Sequence, residues 1–256
     1  MLLTPVQFAA KWRLNRRNER GAYQEHFLDL CRLLGQETPN QDPTGEAYAF
    51  EKGAGKQDGG QGFADVWRRN CFAWEYKGKH ADLTKAYQQL QQYRESLLNP
   101  PLLIASDIER IVIHTNFTNA VKRVYEIGLA EIEQDRWLTP LAEARWMRPH
   151  ATPVAMLRAM FADPESFRPA ETIDAVTRDA AVKLGEIAQT LAGYGEEPHA
   201  TAHFLIRVLF CLFAEDIGLL PRNLFRNVIE SSLFQAPVLQ AKLRNLFRDM
   251  RDGGYY

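Results

Sequence analysis

Three residues in this sequence are well suited to do chemistry: Asp65 in FADVWRRN, and Glu75 and Lys77 in FAWEYKGKH. The pattern is an Asp, nine residues, a Glu, one residue and a Lys. Glu75 and Lys77 are two apart, so on a strand they point to one face. Asp65 lies on the preceding strand, across a tight polar turn at Arg69 and Asn70. Antiparallel pairing of the two segments would set it opposite them, so that all three converge at one edge of a sheet. Two carboxylates on one face repel each other and are costly to bury together unless a cation joins them. Oxygen ligands favour Mg²⁺, at roughly 2.0–2.1 Å. A lysine beside such an ion can position a water or stabilise charge on a phosphate. The set suits metal-assisted hydrolysis of a phosphodiester. Alternating charges on a solvated strand would produce the same residues, but Trp67, Phe72 and Trp74 surround them and imply buried strands.

Other arrangements carry less. Asn99-Pro100-Pro101-Leu102 is similar to the Asn-Pro-Pro-aromatic motif of adenine methyltransferases, but it ends in Leu and follows no Gly-rich strand-to-helix turn. It reads as a helix stop, and no S-adenosylmethionine site is expected. Gly53-Ala54-Gly55-Lys56 lacks the first Gly and the Ser/Thr of a phosphate-binding loop and reads as a flexible turn. His199 and His203 are one helical turn apart but have no Glu between them in the hydrolytic position and no third ligand, so packing or capping accounts for them. Cys31, Cys71 and Cys211 are too few and scattered for a disulfide framework or a zinc site, so a reducing, cytoplasmic setting is expected.

The elements that must position the triad follow from periodicity. Residues 5–34 read as helix, with Phe27, Leu30, Cys31 and Leu34 forming one stripe that Gly35 stops. A strand is expected in AYAFEKG, then two over 62–68 and 71–77. Asp82 caps a helix running through Leu98, and strands follow at 102–105 and 110–114. This order implies an α/β domain with a mixed sheet flanked by helices. Beyond about residue 135 the strand signal fades. Ile173 to Leu191 carries a helical stripe, and 199–217 reads as a buried helix whose most apolar run, Phe204 to Ala214, is far short of the roughly 20 residues that span a bilayer. The expected division is 1–168, an α/β domain, and 169–256, an all-helical domain. With 31 Lys+Arg against 32 Asp+Glu the chain is not polybasic, and 46% hydrophobic residues exclude disorder as its main state. Local basic density remains: Lys11, Arg13, Arg16, Arg17 and Arg20 crowd the first helix, while Arg68, Arg69, Lys79 and Lys85 flank the triad. Such residues suit a phosphate partner.

Asp65 with Glu75-Tyr76-Lys77 resembles the PD-(D/E)XK nuclease motif, with Ala64 in place of the leading Pro. Two further features resemble its RecB-type branch: Glu25 on the preceding helix, and Gln89 with Tyr93 one turn apart on the following one. Taken whole, FADVWRRNCFAWEYKGKHADLTKAYQQLQQY, the Asn-Pro-Pro turn and IHTNFT look like the N-terminal nuclease region of MmeI-like restriction–modification enzymes. HFLIRVLFCLFAEDIGLLP looks like the opening of their helical spacer. The resemblance covers about residues 5–225. It implies a PD-(D/E)XK fold and a Mg²⁺-dependent DNA endonuclease acting on double-stranded DNA. Asp65 and Glu75 would be metal ligands, Glu25 an extra acidic residue, and Lys77 the group orienting water. Gln89, Tyr93 and Lys79 would contact DNA or support the site. It also implies downstream adenine methyltransferase and target-recognition domains as partners. Two other readings remain: a piece of the methyltransferase polypeptide that is silent alone, and a module that binds DNA or protein on a nuclease fold without cutting.

Overall fold

A computed structural model describes residues 2–15, 19–55, 61–216, 219–221 and 223–252. Helix α1 (Pro5–Arg13) opens with a capping box: Thr4 accepts from the Gln7 N–H, the Gln7 side chain accepts from the Thr4 N–H, and Pro5 presets the first turn. The continuous helix expected over 5–34 is instead two, α1 and α2 (Glu19–Leu34). Asn15 to Arg20 offers no apolar position to bury, so each helix follows its own apolar set. Gly35 ends α2 with φ at 66°, and the Gln36 N–H returns to the Cys31 carbonyl at 2.9 Å.

Six strands form one sheet in chain order: β1 (Tyr48–Gly55), β2 (Gln61–Arg68), β3 (Phe72–Tyr76), β4 (Leu102–Ser106), β5 (Arg110–Thr115) and β6 (Val124–Gly128). Every neighbouring pair is antiparallel except β3 and β4. Their parallel pairing needs a crossover, which α3 (Leu83–Tyr93) supplies. Asp82 caps α3 through the Thr84 N–H, as its sequence implies. The helix ends at Tyr93 rather than Leu98, however; turns follow, and Leu98 and Asn99 take left-handed backbone ahead of Pro100.

β3 decides the layering. All five of its residues are buried. Phe72, Trp74 and Tyr76 point to a large core shared with Phe27 and Leu30 of α2 and with Met156 and Met160 of α5 (Pro153–Ala162). Ala73 points the other way, where Ala64, Trp67 and Leu103 meet Leu90 and Tyr93 of α3. Small residues on that face let α3 lie close to the sheet. By strand alternation, Glu75 and Lys77 fall on the α3 side. Two elements were not expected from the sequence, β6 and the short α4 (Leu129–Gln134). Gly53 to Gly55, expected as a flexible turn, is strand and pairs with Gln61 to Phe63.

The chain divides into two compact units, Met1–Asp174 and Ala175–Tyr256. The second contains most of α6 (Ile173–Gly193), with α7 (Pro198–Asp216), α8 (Leu224–Glu230) and α9 (Ala236–Asp252). All its described elements are helices. Its small core gathers Cys211, Phe225 and Leu246. The expectation that 199–217 is a buried helix is overturned: Ile206, Leu209, Phe210, Leu212 and Phe213 are exposed. α7 is apolar on several sides, but α8 and α9 pack on only one of them. The stripe of α6 has no buried residue either.

Candidate active site

β2 and β3 are paired through Arg68↔Phe72, Trp67↔Ala73 and Val66↔Trp74. One step further the same register sets Asp65 against Glu75, and there the strands part. β2 continues beside β1 to Gln61, while β3 ends at Tyr76. The Asp65 carboxylate fills the opening, its Oδ2 accepting from the Tyr76 N–H at 2.6 Å. Glu75 is buried, and its Oε1 lies 2.7 Å from Lys77 Nζ. The group thus sits at the end of β3 and midway along β2, the third and second of six strands, rather than on an edge strand of the sheet.

Tyr76, between Glu75 and Lys77, is anchored from the opposite face. Its ring stacks on Trp74 with centroids 5.6 Å apart and planes 16° from parallel. Its Oη is 2.9 Å from Nδ1 of His26, a residue of α2 with no exposed surface. Burial pushes the His26 pKa down to about 3, so the imidazole is neutral. Burial likewise raises the Tyr76 hydroxyl. With the side chain fixed in the core and the backbone N–H bound to Asp65, Tyr76 locks the strand end that carries Glu75 and Lys77.

Tyr93 of α3 reaches the same place. It is buried, and a Cβ built on Gly62 would lie only 2.4 Å from its Cζ, so Gly62 admits the ring. Burial raises the Tyr93 pKa; the charge of Glu75 raises it further and that of Lys77 opposes this, which places the phenol in their field. Gln89, one turn earlier, has a buried Oε1 with no hydrogen-bond partner among the described residues.

The remaining expectations fare differently. Glu25 pairs at 2.6 Å with Lys11, which also holds the buried Asp29 at 2.6 Å. Among the described residues no three of His, Cys, Asp or Glu are arranged to hold an ion, so Glu25 is not gathered into a three-carboxylate set with Asp65 and Glu75. Lys79 lies 2.7 Å from Glu109, between β4 and β5, and is occupied there. Arg13 pairs with Glu133, and Arg68 lies over the rings of Tyr48 and Phe161. Arg16 and Arg17 lie outside the described residues, as does the Arg20 side chain. His199 and His203 have ring centroids 4.5 Å apart.

Glu51 was missed. The pairs Phe50↔Val66 and Lys52↔Ala64 bracket it, so it lies across from Asp65 on β1. Its φ is 51°, a left-handed backbone that is uncommon for a residue with a side chain. Its Oε1 accepts from Tyr23 Oη at 2.9 Å. The Tyr23 hydroxyl is raised mainly by burial, with the charges of Glu51 and Asp65 adding to it. Only the strand register reveals this neighbour.

Among the described residues, no helix is long and apolar enough to cross a membrane. Comparison with curated proteins and with solved structures gives no match. Residues 3–193 match the family described as MmeI, N-terminal domain, and residues 199–255 the one described as MmeI, helicase spacer domain. The chain therefore belongs to the MmeI family of restriction enzymes and carries that family's N-terminal and spacer domains.

Proposed function

We propose that the first unit is a Mg²⁺-dependent endonuclease module that hydrolyses phosphodiesters of double-stranded DNA. One observation carries the reading: where β2 and β3 part, Asp65 and Glu75 occupy opposed register positions, with Lys77 ion-paired to Glu75. The donor set fits the ion. Mg²⁺ is bound through one or two carboxylates, and waters and substrate phosphate oxygens complete its octahedron, so a third carboxylate is not required. When bound, the ion would neutralise charge on the phosphate and lower the pKa of a water. Asp65 and Glu75 would hold it. Lys77 would exchange part of its contact with Glu75 for the attacking water, orienting it toward phosphorus. Tyr93 and Gln89 would line the α3 side and receive the DNA backbone. Adenine methylation and target reading are no part of the role proposed for this unit.

Isothermal titration with Mg²⁺ tests the ligand assignment. Asp65→Asn and Glu75→Gln should each weaken binding at least tenfold, while Lys77→Met should retain it. Equal affinity in all four proteins would remove the carboxylates from the role given to them.

A further inference from the structure

We propose that the spacer docks an acidic amphipathic helix in the groove between α7 and α9. This inference is independent of the nuclease reading. The groove encloses about 940 Å³. Phe204, Phe210 and Phe247 line it, together with Arg207, Arg244, Arg248 and Arg251. No carboxylate among the described residues lines it. Arg248 and Arg251 pair with Asp249 and Asp252, their neighbours in sequence, but these are exposed contacts. Such pairs are worth about 0–1 kcal/mol and exchange readily for a better-placed carboxylate.

Shape points to a helix. The α7 wall runs from Ala200 to Phe210, ten residues on, or about 15 Å at the α-helical rise of roughly 1.5 Å per residue. That is nearly three turns. The α9 wall presents Gln240, Arg244, Phe247 and Arg251, spaced by three or four residues and hence on one face. A third helix laid between them would cover Ile206 and Phe210, which are 63% and 49% exposed. Its flanking carboxylates would meet the arginines, the groove-and-anchor mode of helix recognition. A nucleic-acid strand fits less well. Phe204 and Phe247 meet nearly edge-on, at 73° and 6.3 Å, and Arg207 sits over the Phe247 ring, so this pair offers no stacked platform for bases.

Fluorescence anisotropy on the full chain tests this with three labelled probes: an 18-residue helix of Leu and Glu with Leu on one face, its Leu/Lys counterpart, and an oligothymidylate of similar length. The Leu/Glu peptide should bind at least tenfold tighter than the Leu/Lys peptide. Arg244→Glu combined with Arg248→Glu should reverse that preference, and Phe210→Asp should abolish binding of both. Arg207→Gln, on the other wall, should weaken the acidic peptide. These positions are exposed, so circular dichroism of the variants should match wild type. Equal binding of the two peptides, no binding of either, insensitivity to the charge reversal, or displacement of the acidic peptide by the oligonucleotide would each overturn the proposal.

Discussion

Acidification should destabilise this protein in large part through two buried histidines, and His26→Phe should remove the share that His26 contributes. His26 and His114 are both held neutral by burial, with pKa values lowered to about 3 from an ordinary 6.5. His26 is fully buried against Tyr76; His114 stacks on Tyr87 with ring centroids 3.9 Å apart. A histidine whose native pKa is depressed leaves the native state with fewer bound protons than the unfolded chain once pH falls below about 6.5. The stabilisation is therefore complete above that pH and drains away as pH falls toward 3. Each group contributes a slope of roughly 1.4 kcal/mol per pH unit across that window. At pH 5, about 1.5 units below the unfolded value, each costs about 2 kcal/mol, a large share of a typical total of roughly 5–15. His26→Phe keeps ring volume but leaves the Tyr76 hydroxyl without its partner, a pH-independent loss of about 1–2 kcal/mol. Urea unfolding from pH 7 to pH 4 should show the variant less stable at neutral pH, yet with a shallower acid slope by roughly 1.4 kcal/mol per unit. His114→Phe should lower the slope by the same amount, and the double variant by twice that. Parallel curves for wild type and His26→Phe would show that His26 is not held neutral by burial.

Other perturbations probe the same region. Lys77→Met strips the cation from the buried Glu75 carboxylate and should cost about 3 kcal/mol in chelator, part of it recovered in Mg²⁺; urea melts in the two buffers measure this. Gly62→Ala should cost about 1–3 kcal/mol by driving a methyl into the Tyr93 ring, and Tyr93→Ala in the same chain should reduce that penalty, which a double-mutant cycle will read. If the chain binds DNA as proposed, its affinity should fall linearly in log–log form with salt and differ little among unrelated duplexes, because contacts to phosphates carry no sequence information. A strong preference for one duplex in a salt-series titration would place sequence reading in this chain.

The sequence exposes the core of the candidate site because β3 is so strongly patterned. Aromatics at Phe72, Trp74 and Tyr76 alternate with Ala73 and Glu75, so only one strand phase is possible, and a short turn then delivers Asp65. Asp82 and Gly35 mark helix ends by local chemistry alone. What stays hidden depends on distant contacts. Glu51 lies in the expected AYAFEKG strand, but it becomes a neighbour of Asp65 only through the pairing register of β1 with β2, which composition does not give. Glu25 sits at the right place in the chain for an acidic ligand, but Lys11, fourteen residues earlier, takes its carboxylate. β6 is short and only partly buried, so its alternation is weak. The apolar composition of α7 reads as burial, whereas only one of its sides is covered by α8 and α9.

The most direct test of the nuclease assignment is nicking of supercoiled plasmid by the chain, with Lys77→Met, Asp65→Asn and Glu75→Gln run beside wild type. Nicking should require Mg²⁺ and fail in Ca²⁺, whose larger and looser coordination places water poorly. All three variants should lose it, Lys77→Met while still binding the ion. Mg²⁺-dependent nicking that persists undiminished in the three variants, or wild type that leaves the plasmid intact at every Mg²⁺ concentration, would contradict the assignment.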